Sequence, residues 1–215
     1  MRRTDVQRDS KPASHQLYID ADQKATLEAR NGLIQFDEVI RLVEEAKQDF
    51  MLRPSIIQRL QRLAIKDIYT CVGNFRTGPV YINGTTHQPP DPDTVSEHVE
   101  EMCDYVNKKW AESAPLHLAA YLMWRVNWIH PFAGGNGRTS RAVSYLVLCA
   151  RLGYSLPGTV TIPDQIVFNR EPYYQALDAA DAAWASGTLD VSVMEQLMAE
   201  MLANQLSSVI DAARG

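Results

Sequence analysis

A chain of 215 residues, of which 46% are hydrophobic and 22% are charged, is long enough to bury one sizeable core and has globular proportions. The net charge of −5 is small and the basic residues are scattered, which argues against a surface that coats nucleic acid. No stretch approaches the roughly 20 apolar residues of a membrane span, and no hydrophobic signal core follows the basic N-terminus. A cytoplasmic protein without membrane or nucleic-acid partners is therefore expected.

The first residues, 1–15, are too polar to pack and predict a flexible N-terminal tail. An N-terminal helical segment is predicted at 16–50, because apolar residues there recur at helical spacing. Its expected buried stripe is Leu33, Phe36, Val39, Ile40 and Val43. Pro54 suits the first turn of a second helix, which is predicted to run to about Tyr69.

The sequence pattern changes between Gly73 and Asp93. Glycine and proline there surround one short β-favouring run, Val80-Tyr81-Ile82, which ends at Asn83-Gly84. A small β-hairpin that projects from a helical body is predicted at this point.

The remainder of the chain again follows the helical period. Helices are predicted at about 95–110, 115–128, 138–152, 172–184 and 191–210, with a loop at 158–163. The helix at 138–152 is apolar on most sides and is expected at the centre of a bundle. The three cysteines lack metal-ligand spacing and are expected to be buried thiols: Cys71, Cys103 and Cys149.

The stretch HPFAGGNGRTSR, residues 130–141, joins two of these helices through a glycine-rich turn. Free N–H groups at the start of the second helix, together with the positive end of its dipole, form an anion site that glycine lets a phosphate approach closely. Asn136 can add a side-chain donor, and Arg138 and Arg141 can bind further phosphates. His130 stands at the edge, where an imidazole can accept a proton from a hydroxyl near neutral pH.

Three other kinds of site share some features of this corner. It lacks the Lys-Ser or Lys-Thr of a Walker loop and the preceding strand of a dinucleotide-binding fingerprint. A DNA-binding helix-turn-helix fits only the corner topology, because the chain is acidic and Pro131 lies within the turn. Taken one residue at a time, a packed core histidine followed by solvated arginines fits as well as a catalytic site does.

Taken together, the residues of this stretch resemble the Fic-family signature His-Pro-Phe-x-acidic-Gly-Asn-Gly-Arg-x-x-Arg. The matching positions are His130, Pro131, Phe132, Gly135, Asn136, Gly137, Arg138 and Arg141. The resemblance extends from about Leu52 to Leu177 and includes a segment similar to the family's flap, 77–90. It implies an all-α, Fic-type helical bundle with a small β-hairpin flap, a core domain at 51–185 and a C-terminal helix at 186–215 that packs on the core.

The resemblance further implies a protein adenylyltransferase, which transfers AMP from ATP to a Ser, Thr or Tyr hydroxyl of a target protein. By position, His130 would be the catalytic base and Phe132 a structural anchor. The implied nucleotide and phosphate ligands are Gly134, Gly135, Asn136, Gly137, Arg138 and Arg141.

Two more parts of the site follow from the same resemblance. The flap residues Val80, Tyr81, Ile82 and Asn83 would hold a target segment through main-chain hydrogen bonds. Tyr173 and Tyr174 resemble a tyrosine pair near the family's nucleoside pocket, although core aromatics of a helix would look the same.

The chain departs from the signature at Gly134, where the family has an Asp or Glu that holds Mg²⁺ against the phosphates. The metal ligands therefore remain unknown, and the nearest acids by topology are Asp91, Asp93 and Glu171. Either an acid from elsewhere supplies the metal, or the enzyme uses another nucleotide, phosphorylated donor or metal, or the fold is a catalytically weak nucleotide-binding or regulatory module.

Regulation and assembly are also open. The family's inhibitory motif, Ser or Thr, three residues, Glu and then Gly or Asn, has no complete match in the sequence. The apolar last helices could close the core or form a homodimer.

Overall fold

The computed structural model describes residue 8, residues 15–46 and residues 50–214, with side chains described as far as residue 209. Within this part of the chain eight α-helices follow one another, and the predicted all-α class is confirmed. They are α1 (Ala21–Glu45), α2 (Pro54–Ile65), α3 (Val95–Lys108), α4 (Pro115–Ile129), α5 (Asn136–Leu152), α6 (Ile162–Phe168), α7 (Glu171–Ala185) and α8 (Ser192–Arg214). Most of the predicted tail, 1–15, lies outside the described residues. None of the described helices combines the length and the apolar character that a membrane crossing requires.

Helices α4 and α5 pack side by side at the centre of the bundle, as predicted for 138–152. Helices α3, α7 and α8 cover α4, whereas α1, α2 and α6 cover α5. The residues of α4 and α5 can be apolar on most sides because most of their faces are covered by other helices. The Ser144 hydroxyl donates to the carbonyl of Ala119 at 2.7 Å and ties the two helices together. The turn that joins them is therefore carried by the most buried part of the fold.

The buried face of helix α1 differs from the predicted one. It begins at Ala21, where the Asp20 carboxylate caps it, and Leu33 and Phe36 are 71% and 37% exposed. Its buried face carries amides instead, which bind carbonyls at the end of α2: Asn31 donates to Lys66 at 2.6 Å and Gln35 donates to Leu60 at 2.9 Å. The bond to Lys66 satisfies a carbonyl just past the end of α2 that has no intrahelical donor, and only Val39 and Val43 of the stripe are fully buried.

Helix α2 ends at Ile65 and does not reach Tyr69 as predicted. Lys66 leaves the helical conformation, and Asp67 adopts a positive φ of 61°. The chain after this turn pairs with the segment before α1: Leu17 N donates to Ile68 O at 2.9 Å and Thr70 N donates to His15 O at 3.1 Å. This short antiparallel pairing was not predicted.

The expected β-hairpin at 77–90 is not seen. This segment has a turn at Asn83-Gly84 but no strand ladder with itself among the described residues. Prolines at 79, 89 and 90 remove main-chain donors that a ladder needs. A side chain holds the two ends instead, since Arg76 donates to the carbonyls of Gly78 at 3.2 Å and Pro90 at 2.5 Å.

Two smaller predictions also need correction. The predicted loop at 158–163 contains the start of α6, where Thr161 and Asp164 form a reciprocal capping box. Cys103 and Cys149 are buried as expected, but Cys71 is exposed because it follows the turn after α2. Burial raises the pKa of the Cys103 thiol to about 12.

Candidate active site

A cleft of about 380 Å³ lies above the turn between α4 and α5. Every predicted catalytic, phosphate-binding and nucleoside residue lines it: His130, Gly134, Gly135, Asn136, Gly137, Arg138, Arg141, Tyr173 and Tyr174. Of the four predicted flap residues only Ile82 lines the cleft, whereas Val80 is buried and Tyr81 is 78% exposed. The structure thus gathers residues from the signature stretch, α7 and the flap segment into one cavity.

His130 terminates α4 in the left-handed conformation, with φ of 49°. Its side chain lines the cleft but is only 6% exposed, and neither ring nitrogen has a hydrogen-bond partner among the described residues. Burial lowers the pKa of His130 to about 3, because the imidazolium would lose its hydration. The imidazole is therefore held neutral, in the form that can accept a proton.

Asn136 fixes the conformation of the turn. Its Oδ1 accepts from Phe132 N at 2.9 Å, and its Nδ2 donates to Phe132 O at 2.8 Å. The amide that was expected to donate to phosphate thus uses one of its two N–H hydrogens to hold the backbone of the turn. Phe132 itself is fully buried against Phe75, with ring centroids 5.5 Å apart, as expected for a structural anchor.

The glycines of the turn pack closely against α2. Gly135 has a φ of 79°, and a Cβ on it would lie 2.6 Å from Cγ2 of Ile65, so no larger residue fits. The carbonyl of Gly134 accepts from Nε2 of Gln61 at 3.0 Å, while Oε1 of the same amide accepts from Gly73 N at 2.6 Å. Gln61 therefore positions the cradle, although its place in an amphipathic helix gave no signal of this role.

The two signature arginines have different surroundings. Arg138 donates to Ala64 O at 2.8 Å and lies 3.3 Å from the carboxylate of Glu28 on α1. Arg141 has no acceptor among the described residues, and a Cβ on Gly137 would lie 3.5 Å from its Nη1. The Arg141 guanidinium thus lies beside the glycine cradle without a counter-ion in the described part of the protein.

The predicted tyrosine pair occupies the α7 side of the cleft. Tyr173 is buried, and its hydroxyl accepts from Nδ2 of Asn127 at 2.8 Å. Tyr174 is half-buried and packs against Tyr173, with ring centroids 5.7 Å apart. The guanidinium of Arg8 lies 4.6 Å from the centre of the Tyr174 ring, which shows that this ring face accepts a planar group.

Sequence reasoning missed two further residues of the cleft. His87 follows the flap turn, and its Nε2 lies 2.8 Å from the carbonyl of Trp128, while its Nδ1 lies 3.8 Å from the carboxylate of Asp181. Asp181 also accepts from Nε1 of Trp124 at 2.8 Å, and burial raises its pKa. No periodicity or motif in the sequence indicates either residue, because His87 lies near prolines and Asp181 lies within an alanine-rich helix. Only the fold brings the two together.

The residues present do not fit a carboxylate-held Mg²⁺. No group of three His, Cys, Asp or Glu side chains among the described residues could hold a metal. Glu28 and Asp181 are the acids that line the cleft within the described part, and both are engaged as stated above. The acids suggested by topology lie elsewhere: Asp91 accepts from Asp93 N at 2.9 Å, and Glu171 accepts from Gln175 at 3.0 Å.

The sequence has clear relatives. Residues 51–148 match the model of the Fic/DOC family. The protein adenylyltransferase Fic of Drosophila willistoni is 33% identical over 143 residues, which are 60% of this chain and 27% of the relative. The protein of the same name from Nematostella vectensis is 26% identical over 163 residues, which are 70% of this chain and 35% of the relative. The chain thus spans about a quarter to a third of these relatives.

Solved structures share the fold. A Fic domain containing signaling protein from Bacteroides thetaiotaomicron has a TM-score of 0.74 at 22% identity, over 92% of this chain and 76% of that one. A Fic family protein from Desulfovibrio desulfuricans has a TM-score of 0.67 at 18% identity, over 92% of this chain and 57% of that one. The match over 51–148 and the signature residues in the cleft show that this part of the chain is a Fic/DOC-family domain, and the solved structures show that the fold is shared over most of the chain.

Proposed function

We propose that this chain transfers AMP from ATP to a hydroxyl side chain of a target protein. The observation that carries the proposal is that one cleft joins the buried imidazole of His130 with the Arg141 guanidinium beside the glycine cradle. A base next to an anion site is what transfer of a phosphoryl-linked group to a hydroxyl requires. The name of the curated relatives, protein adenylyltransferase, supports AMP as the transferred group.

In the proposed step the target hydroxyl oxygen attacks the α-phosphorus of ATP. The bond from this phosphorus to the α,β-bridging oxygen breaks, and pyrophosphate leaves with the bonding electrons. The hydroxyl proton passes to a ring nitrogen of His130. Burial keeps this imidazole neutral before the nucleotide binds, and the negative charge of bound phosphates would then favour the imidazolium that forms.

The remaining parts of the cleft are assigned by position. Main-chain N–H groups of Gly135, Asn136 and Gly137, at the start of α5, would bind phosphate oxygens together with Arg138 and Arg141. Tyr173 and Tyr174 would flank the nucleoside. The exposed Tyr81 and the neighbouring Ile82 mark the flap edge along which an extended target segment would lie.

The test is transfer of label to a mixture of Ser-, Thr- and Tyr-containing peptides. Label from ATP labelled at the α-phosphate should appear in peptide, and label from ATP labelled at the γ-phosphate should not. His130→Ala should abolish the transfer, whereas His98→Ala, a histidine on α3 outside the cleft lining, should leave it unchanged. Transfer of γ-label, or undiminished α-label in His130→Ala, would contradict the proposal.

The second candidate is a catalytically weak nucleotide-binding module, which Gly134 and the absence of a fitting metal site among the described residues favour. Such a protein would bind ATP through Arg141 but give no label in peptide at long incubation. Binding of ATP that Arg141→Gln removes, without any transfer by the unmodified chain, would select this candidate over the transferase.

A further inference from the structure

The position that would carry a metal-binding acid is occupied by buried main chain. Gly134 offers only its carbonyl, and this carbonyl already accepts from Gln61 at 3.0 Å. The carboxylates of the cleft within the described residues are tied to other groups, Glu28 to Arg138 and Asp181 to Trp124. ATP carries its negative charge on the phosphates, so some other group in the cleft must neutralise it.

Three arginines line the cleft together with the glycine cradle: Arg138, Arg141 and Arg170. Arg170 comes from outside the signature and caps α7, three residues before Tyr173. It lies close enough to Arg141 for the two positive charges to repel, and this repulsion, after burial, lowers the pKa of Arg141. Two neighbouring guanidinium groups without acceptors in the described part of the chain form an arrangement that an anion would stabilise.

On the basis of the function proposed above, we infer that arginine side chains neutralise the nucleotide phosphates in place of a carboxylate-held metal ion. Arg170 is the additional phosphate ligand. It lines the same cleft as Arg141, so that a di- or triphosphate bound there would be held by guanidinium groups from α5 and from the start of α7. A planar guanidinium binds two phosphate oxygens at once. A metal ion would otherwise hold these two oxygens in place.

The place of Arg170 in the fold connects two parts of the site. It directly precedes, as the N-cap residue, the helix that carries Tyr173 and Tyr174, whereas Arg141 lies on α5. A triphosphate bound by both arginines would therefore hold α7 and α5 together at the nucleoside end of the cleft.

The experiment is calorimetric titration of the full chain with ATP, in EDTA and in Mg²⁺, for the unmodified protein and for Arg170→Gln. We expect the unmodified protein to bind ATP in EDTA, with an affinity that Mg²⁺ changes by less than about threefold. Arg170→Gln should weaken ATP binding in EDTA by about tenfold, which corresponds to about 1.4 kcal/mol, and should leave adenosine binding unchanged. The matched control Arg53→Gln removes an exposed arginine outside the cleft and should bind ATP normally.

A second variant tests the same inference from the opposite side. Gly134→Glu supplies the missing carboxylate and should make ATP binding depend on Mg²⁺. The inference is overturned if the unmodified protein binds ATP only with Mg²⁺, or if Arg170→Gln binds ATP as tightly as the unmodified protein. In both cases ATP still binds and the proposed function stands. Failure to bind either ATP or adenosine under any condition would overturn the proposed function together with the inference.

Discussion

The guanidinium of Arg76 binds the main chain of His130. Its Nε donates to the His130 carbonyl at 2.9 Å, and the Arg76 N–H donates to the carbonyl of Pro131 at 2.8 Å. The same side chain reaches Gly78 and Pro90 at the two ends of the flap segment. One buried residue therefore sets the position of the flap segment relative to His130.

Arg76→Met should lower the free energy of unfolding by about 2–4 kcal/mol, because it leaves several carbonyls without a donor. Urea unfolding measures the change. Arg53→Met, which shortens an exposed arginine outside these contacts, should change stability by less than about 0.5 kcal/mol. Equal effects of the two substitutions would show that the Arg76 bonds do not stabilise the fold.

Gly135 and Gly153 flank the two ends of α5, and their φ angles are similarly positive, 79° and 85°. A Cβ at Gly135 meets Ile65 at 2.6 Å, whereas a Cβ at Gly153 meets nothing within 4 Å. Gly153→Ala should therefore cost only the backbone strain, about 1–2 kcal/mol. Gly135→Ala should cost about 1–3 kcal/mol more, because the packed Ile65 must move. Thermal or urea unfolding of the pair measures the difference, and equal costs would contradict the close approach.

Acid should destabilise the fold partly through His130. Its pKa is lowered from 6.5 to about 3 in the folded protein, so only the unfolded chain takes up this proton as the pH falls below 6.5. The stability that the neutral imidazole contributes is therefore complete above about pH 6.5 and is lost progressively toward pH 3. Between pH 8 and pH 5 the loss amounts to about 2 kcal/mol.

The variant His130→Gln isolates this contribution. It lacks the titrating group, so its unfolding free energy should fall by about 2 kcal/mol less between pH 8 and pH 5 than that of the unmodified protein. Comparison at pH 8 separates any packing effect of the substitution. An identical fall in unfolding free energy in both proteins would mean that the pKa of His130 in the folded state is not lowered.

Glu28 should weaken anion binding at the cradle. Its carboxylate lies 3.3 Å from Arg138 and 3.8 Å from Lys24, so it neutralises two cations beside the cleft. Glu28→Gln should tighten binding of inorganic tripolyphosphate by roughly 3–10-fold at low salt, with a smaller gain at high salt. Glu44→Gln changes the same charge on the same helix outside the cleft and is the control. Equal effects of the two substitutions in calorimetry would assign the gain to net charge alone.

The signature turn was predictable because its chemistry lies within twelve consecutive residues, HPFAGGNGRTSR. Asn136 shows the limit of that reasoning: an amide next to a phosphate-binding turn has the same sequence pattern whether it binds the ligand or holds Phe132. The residues that position the turn, Gln61 and Arg76, lie on other elements and are ordinary polar residues at the level of the sequence. Their roles depend on tertiary contacts that no local pattern encodes.

The errors in the fold have the same origin. The buried stripe of α1 was assigned to Leu33 and Phe36 by hydrophobicity, but carbonyls at the end of α2 select the amide face of the helix instead. The flap was assigned as a hairpin from its turn residues, yet its prolines cannot donate and Arg76 replaces the ladder. In both places, hydrogen bonds between distant elements determine the local structure.

The attachment of α1 has a thermodynamic consequence. Its first half faces the protein through the Asn31 and Gln35 amides, while Leu33 stays in water, so separation of this half would expose little additional apolar surface. Such a motion should leave the heat capacity almost unchanged, because heat capacity follows apolar exposure. Amide hydrogen exchange along 21–35 would nevertheless detect this motion. A calorimetric scan would show one cooperative transition and would miss it. The same opening would move Glu28 away from Arg138.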